Sequence, residues 1–507
     1  MEIVKIIVNI ELIINLILLL LFYMHMFQLN SYFSKRYMNW IKKNSKKVVL
    51  KSCGVLIPFI MLLFNNNVAN IISVIFLAIS IFFNIPKGKS KIPLKFTPRV
   101  NRMFITQFLF ILLFSIIFNE LIVLSVINIF AFVLCSISNI INYPIEHAIR
   151  NHYIRDAKKI LKGMPNLTVI GVTGSYGKTS VKNFLVKVLS AKYEVLTTPK
   201  NYNTTMGVVR TIRENLKPTH QIFVCEMGAA KVGDIKEICD IVNPKIGIIT
   251  AIGPQHLQSF KSIDNIIKTK FELYDSVSKN GGITFLNYDN EYISKQEKEN
   301  ILTYGINNDS LNYSAYNLKS SSQGLSFYIK DTQFKTKLIG KHNIENLAGA
   351  IAIAEYLGIE LNRLVPRVRE IKSVEHRLQL INRGDINIID DSYNSNPVSS
   401  KSAIDTLAEF EGYKIIVTPG LIELGGEEEK FNCEFGKYMS NVCDYIFIVN
   451  STVSKYILNG IESSEFDKNK IFVVNTPQDA VAQITSMGLN NKITVLLEND
   501  LPDNYNL

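Results

Sequence analysis

The chain has 507 residues, a formal net charge of +11 and six cysteines. That length admits about three domains. The cysteines form no CxxC pairs, which excludes a disulfide framework and a zinc module. Much of the basic excess lies between apolar runs near the N-terminus, which argues for a membrane surface and against nucleic acid as the partner.

Apolar runs occupy residues 12–27, 48–64, 68–85, 103–118 and 121–141. Each is close to the ~17–25 residues a helix needs to cross a bilayer. Residues 1–150 are therefore expected to be an α-helical membrane domain with five transmembrane helices. No small-residue cleavage site follows the first run, so it does not read as a removable signal. Asn9, Glu11 and Asn15 either lie at head-group level or form a polar site inside the membrane. The segments SKRYMNWIKKNSKK (34–47) and KGKSKIPLKFTPRVNR (87–102) are basic, whereas residues 65–67 and 119–120 carry no Lys or Arg. Basic loops stay in the cytoplasm. The N-terminus is then outside, and everything after Tyr143 is inside. This predicts a multi-pass protein of the bacterial plasma membrane, with cytoplasmic catalytic domains and membrane lipids among its partners. One helix would suffice for an anchor, so five suggest that the membrane part also positions something. PIEHAIRNHYIRDAKKILKGMP (144–165) reads as an amphipathic helix along the lipid surface, with residues 151–165 as the connection.

LTVIGVTG (167–174) is a β-branched strand breaking into glycines. In KTSVKNFLVKVLSAK (178–192), Val181, Phe184, Leu185 and Val188 fall on one helical face. Strand, glycine loop and helix N-terminus make a phosphate cradle. Lys178 is placed to reach the β- and γ-phosphates of ATP, and the Thr179 hydroxyl to ligate Mg²⁺. An ordinary Walker A would put its first glycine at Val172. Here the pattern is T-G-x-x-G-K-T, from Thr173 through Gly174, Ser175, Gly177 and Lys178 to Thr179, with Ser180 following.

That compact loop resembles the Mur ligases and their relatives, the folylpolyglutamate, cyanophycin and poly-γ-glutamate synthetases. Later segments extend the resemblance. IFVCEMGA (222–229) ends a strand in Glu226, which matches a Mg²⁺-binding glutamate. VNPKIGIITAIGPQHLQSF (242–260) matches a segment with a metal-ligating histidine, here His256. IIKTKFELY (266–274) matches the stretch holding a carbamylated lysine; Lys270 fits best and Lys268 is the fallback. GKHNIENLAGAIAIAE (340–355) carries Asn343 and Asn346, which the resemblance places on the adenine side. EHRLQ (375–379) supplies Arg377 for the phosphates. IIDDSYNSNP (388–397) is close to the D-D-S-Y-N-x-N-P of the MurF-type ligases. It puts Asp391 near the ribose, with Tyr393, Asn394 and Asn396 shaping the cleft. GLIELG (420–425) is also similar to a MurF segment.

The resemblance covers residues 166–507. It implies an α/β architecture: a P-loop central domain at 166–372 and a Rossmann-like C-terminal domain at 373–507. It also implies an ADP-forming acid–amino-acid ligase that uses ATP and Mg²⁺ and works through an acyl phosphate. Lys178, His256 and Lys270 would carry the chemistry, with Thr179, Glu226, His256 and carbamylated Lys270 holding metal. Two departures concern substrate recognition. The membrane domain stands where MurF-like ligases hold the UDP end of their substrate. The chain also ends in VLLENDLPDNYNL (495–507), acidic where those ligases carry a V-K-G-S-R-like segment. The reading is a membrane-bound ligase adding an amino acid or dipeptide to a cell-envelope acceptor, UDP-linked or lipid-linked. The alternatives are a ligase building an amino-acid polymer and, from another class, a P-loop transporter ATPase.

Overall fold

The computed structural model describes residues 2–62, 64, 67–86, 92–255, 257–393, 395–489 and 491–500. They divide into two compact units that meet in sequence between Asn151 and His152.

The first unit is helical: α1 (Glu2–Leu29), α2 (Ser34–Lys43), α3 (Ser45–Leu62), α4 (Asn67–Asn84), α5 (Pro98–Ile117), α6 (Glu120–Ile129) and α7 (Ala131–Lys162), the last ending in the second unit. Local chemistry sets several boundaries. Thr97 caps α5 by accepting from the Val100 N–H at 3.3 Å, with Pro98 in the first turn. Asn119 caps α6 through the Leu121 and Ile122 N–H groups. In α2 the residues Tyr37, Trp40 and Ile41 are buried, while the lysines lie on the opposite side. Leu12, Leu19, Tyr23, Phe27, Val55 and Leu77 build the core. The outer faces are apolar too, with Ile3, Ile10, Ile71, Phe108, Leu112 and Ile116 exposed. A helical unit that is apolar inside and outside fits lipid rather than water.

Two helices among the described residues, Ile3–Leu29 and Pro98–Ile117, are long and apolar enough to cross a membrane; Val68–Asn84 is a shorter apolar helix. Residues 121–141 do not form one straight span. The chain bends by 92° between α6 and α7, and counting that pair as one span brings the total to three. The bend opens a cavity of about 450 Å³ lined by Phe110, Phe114, Ile122, Val126, Phe130 and Leu134. The amphipathic helix does not start at Pro144 either. Pro144 lies inside the continuous α7.

The second unit holds two sheets. The first contains β1 (Thr168–Thr173), β2 (Val195–Thr197), β3 (Ile222–Glu226), β4 (Ile246–Ile249), β5 (Ile283–Asn287), β6 (Ile301–Ile306), β7 (Tyr313–Ser321), β8 (Gly324–Ile329) and β9 (Thr332–Thr336). Their order is β2-β3-β1-β4-β5-β6-β7-β8-β9. Pairing is parallel from β2 to β7 and antiparallel in the meander β7-β8-β9. Strand β3 is buried throughout, as a parallel strand covered on both faces must be. The crossovers and coverings are α8 (Lys178–Leu189), α9 (Thr205–Asn215), α10 (Asp234–Val242), α11 (Leu257–Phe260), α12 (Ile263–Lys279), α13 (Glu291–Ser294), α14 (His342–Tyr356) and α15 (Leu361–Arg369). Ile170, Val181, Phe184, Leu185 and Val188 join Leu347 and Ile351 of α14 in one core.

The second sheet contains β10 (Gln379–Arg383), β11 (Ile386–Asp391), β12 (Tyr413–Thr418), β13 (Tyr445–Val449), β14 (Ile471–Val474) and β15 (Ile493–Glu498). Its order is β10-β11-β15-β12-β13-β14, with only β10 antiparallel. The helices α16 (Pro397–Ala408), α17 (Glu428–Ser440), α18 (Ser454–Glu462) and α19 (Pro477–Ser486) connect these strands. The domains touch where His342 Nδ1 meets Ser402 Oγ at 2.8 Å. The α/β architecture is the one the motifs imply.

Candidate active site

The phosphate loop leaves the carboxyl end of β1, where two glycines have conformations and surroundings that a side chain could not share. Gly174 has φ +156°, and a Cβ there would lie 2.1 Å from Thr250 Oγ1. Gly177 has φ +80°, and a Cβ would lie 2.7 Å from Asn346 Oδ1. These positions require glycine because the backbone turns left-handed or is met closely. Thr173 donates to Met227 O at 3.0 Å and Ser175 to Gly253 O at 3.1 Å, tying the loop to the ends of β3 and β4. Lys178 folds back over its own loop and donates to Gly174 O at 2.6 Å and Ser175 O at 2.9 Å. Burial lowers its pKa to about 8; Glu226 opposes the shift and Arg377 adds to it. Lys178 therefore feels charges from both domains.

Parallel pairing puts Val172 opposite Glu226, which brings that carboxylate beside the first turn of α8. Thr179 Oγ1 donates to Glu226 Oε1 at 3.2 Å, and Asn203 Nδ2 donates to the same oxygen at 3.0 Å. The other oxygen, Oε2, forms an ion pair with Lys182 Nζ at 3.0 Å. Burial would raise the Glu226 pKa, but Lys182 and Lys178 outweigh it and hold the carboxyl below its usual range. A hydroxyl and an ionised carboxylate this close suit a Mg²⁺ ion.

Motif reasoning did not single out Lys182 or Asn203. Lys182 and Glu226 are both 2% exposed, and Lys182 also donates to Thr198 O at 3.0 Å and Lys200 O at 2.8 Å. The signal available was the second lysine of KTSVK, one helical turn after Lys178.

Lys270 and Lys268 are separated by burial. Lys270 is 4% exposed and takes part in no hydrogen bond or ion pair among the described residues; Lys268 is exposed. Burial, with Lys178 adding to it, holds the Lys270 amine well below its ordinary pKa. The neutral amine is the form that reacts with carbon dioxide. His256 lies outside the described residues. Among the described residues no three His, Cys, Asp or Glu side chains gather as a metal cluster, so a second ion would depend on His256 and on modification of Lys270.

Asn343 and Asn346 sit in the first turns of α14, Asn346 against Gly177 and Asn343 donating to Ile339 O at 2.8 Å. Ser180 is in the first turn of α8. Arg377 lies over the Tyr393 ring at 4.4 Å, between His376 and Leu378, whose φ values are +60° and +42°. Asp391 Oδ1 accepts from Leu378 N at 3.1 Å, and burial raises its pKa to about 6 against the pull of Arg377. Asn396 caps α16, and Asn394 lies outside the described residues. In the acidic C-terminal segment, Glu498 pairs with Asp391 across β15 and β11 and is fully buried. It accepts from Ser400 and, at 3.0 Å, from Thr418. Residues 501–507 lie outside the described set.

Strand, loop, helix and strand-end carboxylate, closed by a second parallel sheet, define a class of two-domain nucleotide-binding proteins. Residues 172–354 match the Mur ligase middle domain, and residues 376–498 match the Mur ligase glutamate ligase domain. The chain is 32% identical over 309 residues to UDP-N-acetylmuramoyl-tripeptide–D-alanyl-D-alanine ligase of Bacillus subtilis, covering 60% of this chain and 66% of that one. It is 32% identical over 321 residues to the protein of that name from Buchnera aphidicola of Acyrthosiphon pisum, covering 59% and 70%. The crystal structure of MurF ligase from Thermotoga maritima in complex with ADP superposes with a TM-score of 0.62 and 25% identity, covering 69% of this chain and 80% of that one. The chain belongs to the Mur ligase family. It spans just under two thirds of the B. subtilis relative's length.

Proposed function

We propose that this chain is a membrane-bound, ADP-forming amide ligase of the MurF kind. It joins an amino acid or dipeptide, in the manner of D-alanyl-D-alanine, to a carboxylate of a cell-envelope precursor. The observation that carries this reading is the glycine loop at the start of α8, where Lys178 opens the helix and Thr179 Oγ1 donates to the strand-end carboxylate Glu226 at 3.2 Å. The names of the relatives and the ADP in the Thermotoga structure support it.

Amide formation from a carboxylate and an amine is uphill in water, so it needs an activated acyl group. In this reading the acceptor carboxylate attacks the γ-phosphate of ATP, giving an acyl phosphate and ADP. The incoming amine then displaces phosphate. Both reactants of the first step are anions. Lys178 and Arg377 offset that repulsion. Thr179 and Glu226 would hold a Mg²⁺ that supplies further charge neutralisation. Asn343, Asn346 and Asp391 would hold the nucleoside, and approach of the two domains would keep water from the acyl phosphate. The buried amine of Lys270, whose charged form burial disfavours, is suited to becoming a carbamate, a negative group beside the cationic loop.

The first unit's apolar exterior supports membrane residence, with five spans proposed, the N-terminus outside and the catalytic unit in the cytoplasm. The acceptor would then be presented at the cytoplasmic membrane surface on a lipid. ADP release is the test: membranes holding the full chain are supplied with amino acids and dipeptides against UDP-linked and lipid-linked acceptors. Turnover that needs both an amine and an envelope acceptor is expected. Turnover that needs only one repeatedly added amino acid would favour a polymer-building ligase, and turnover coupled to solute movement would favour a transporter.

A further inference from the structure

The buried polar groups of the first unit form a chain with one direction. Asn128 Nδ2 donates to the carbonyls of Leu12 at 3.1 Å and Leu124 at 2.8 Å. Its oxygen is left to accept, and it does so from Asn15 Nδ2 at 3.0 Å. Asn15 Oδ1 in turn accepts from Ser80 Oγ at 3.3 Å and Asn84 Nδ2 at 2.9 Å. That leaves Asn84 Oδ1 as the last acceptor, and Lys51 Nζ meets it at 3.2 Å. Asn15, Ser80, Asn84 and Asn128 are each at most 5% exposed. Four helices, α1, α3, α4 and α6, contribute to this line.

Neutral amides and hydroxyls joined in this way are ordinary adhesive between helices in a membrane. Lys51 differs, because it is charged and only partly buried, so its ammonium is anchored by this line yet open to a ligand. Besides Asn84 Oδ1, the Lys51 ammonium meets the Phe22 ring at 4.4 Å. Among the described residues no carboxylate lies within ion-pair distance of it. An ammonium offers three donors, and one is used. Composition offers few internal partners. Residues 1–151 contain 15 Lys and Arg against four Glu and no Asp, so the whole +11 excess resides there, and the remainder of the chain balances at 40 of each sign. One of those four, Glu146, is already held by Arg102 at 2.7 Å. An anion supplied from outside the chain would balance this charge.

We propose that Lys51, held by the Asn84 amide at the end of this polar chain, is the centre of a binding site for the phosphate of a membrane lipid. The proposal rests on the reading of the first unit as membrane-embedded. The chemistry is shared by two sources, a phospholipid head group and the phosphate of a lipid carrier. The apolar outer faces of the same unit suit the hydrocarbon that either would bring.

The experiment uses the full chain in neutral detergent, incubated separately with a long-chain polyprenyl phosphate, with phosphatidylglycerol and with inorganic phosphate. Retained ligand is read by mass spectrometry or radiolabel. Lys51→Met, which keeps the aliphatic stem, is expected to lower lipid-phosphate retention about tenfold, the worth of one charge-assisted hydrogen bond. Lys51→Gln should do the same, and Lys51→Arg should retain binding. ADP binding by the catalytic unit and the unfolding temperature of each variant report intact folding. A loss greater for the polyprenyl phosphate assigns the site to a carrier lipid. Equal loss for both lipids supports a general lipid-phosphate site and removes its support for a lipid-linked acceptor. Unchanged retention of both lipids by a folded Lys51→Met or Lys51→Gln protein, or full displacement by inorganic phosphate, overturns the proposal. Ligation activity does not enter the readout, so failure of the ligase reading leaves this result standing.

Discussion

Lys182→Met isolates the ion pair beneath the phosphate loop. Lys182 and Glu226 are almost completely buried at 3.0 Å, and the lysine also holds two backbone carbonyls of the segment that leads to Asn203. Methionine fills nearly the same volume and removes only the charge and its donors. Removing one partner of a buried pair leaves the other charge uncompensated, at a cost of about 3–5 kcal/mol. The substitution Glu226→Gln should cost a comparable amount by orphaning the ammonium. In Lys182→Met/Glu226→Gln neither charge remains, so the double variant should be less damaged than the two single losses added, by at least about 2 kcal/mol. Urea unfolding of the full chain, followed by the fluorescence of ADP-analogue release and by far-ultraviolet circular dichroism, measures all four corners of the cycle. Single losses below about 0.5 kcal/mol that simply add would show that the pair is screened or open, and the reasoning would fail.

The Lys178 pKa of about 8 predicts that nucleotide binding takes up a proton. Phosphate favours the charged ammonium, so uptake should be small at pH 6, grow as the pH approaches and passes 8, and affinity should weaken above that. Calorimetry in two buffers of different ionisation enthalpy measures this, and zero uptake at pH 8.5 would refute it. Lys270→Ala should lower ADP formation steeply, with partial rescue by a short-chain carboxylate, whereas exposed Lys268→Ala should change it by less than about twofold; the reverse pattern would move the assignment to Lys268. Glu498, buried and raised to about 7, holds a proton in the fold that the unfolded chain releases above about 4.5. Its contribution to stability therefore falls as pH rises from about 4.5 to 7, and Glu498→Gln should gain up to ~3 kcal/mol over the parent at pH 8 and little at pH 4. A gain of equal size at both pH values would contradict that assignment.

The fold was most legible where local sterics and sequence motif coincide. Thr173 to Thr179 announces strand, turn and helix because glycine alone adopts the backbone at Gly174 and Gly177 without clash. The break at Phe130 was not legible. Apolar residues continue on both sides, with no Pro or Gly to mark a bend, and the angle follows from how α6 and α7 pack. Pro144 read as a helix start, yet α7 continues through it, because neighbouring groups in a helical bundle can satisfy the carbonyl that a proline releases.

By itself the sequence determined which residue types were available: a lysine and hydroxyl at a helix N-terminus, a carboxylate at a strand end, two lysines two positions apart in α12. Two positions on a helix differ by about 200°, so the sequence also determined that Lys268 and Lys270 face opposite ways. Which of the two points inward was decided by packing, since helical periodicity has no knowledge of what lies beyond the helix. The same holds for Lys182 and Glu226, 44 positions apart, which meet only because β1 pairs with β3 in the register Val172 to Glu226. Likewise, four asparagine and serine residues spread along the first unit become one directed line to Lys51 only after four helices close around them. Hydrogen-bond direction is a property of three-dimensional neighbours, and no linear spacing encodes it.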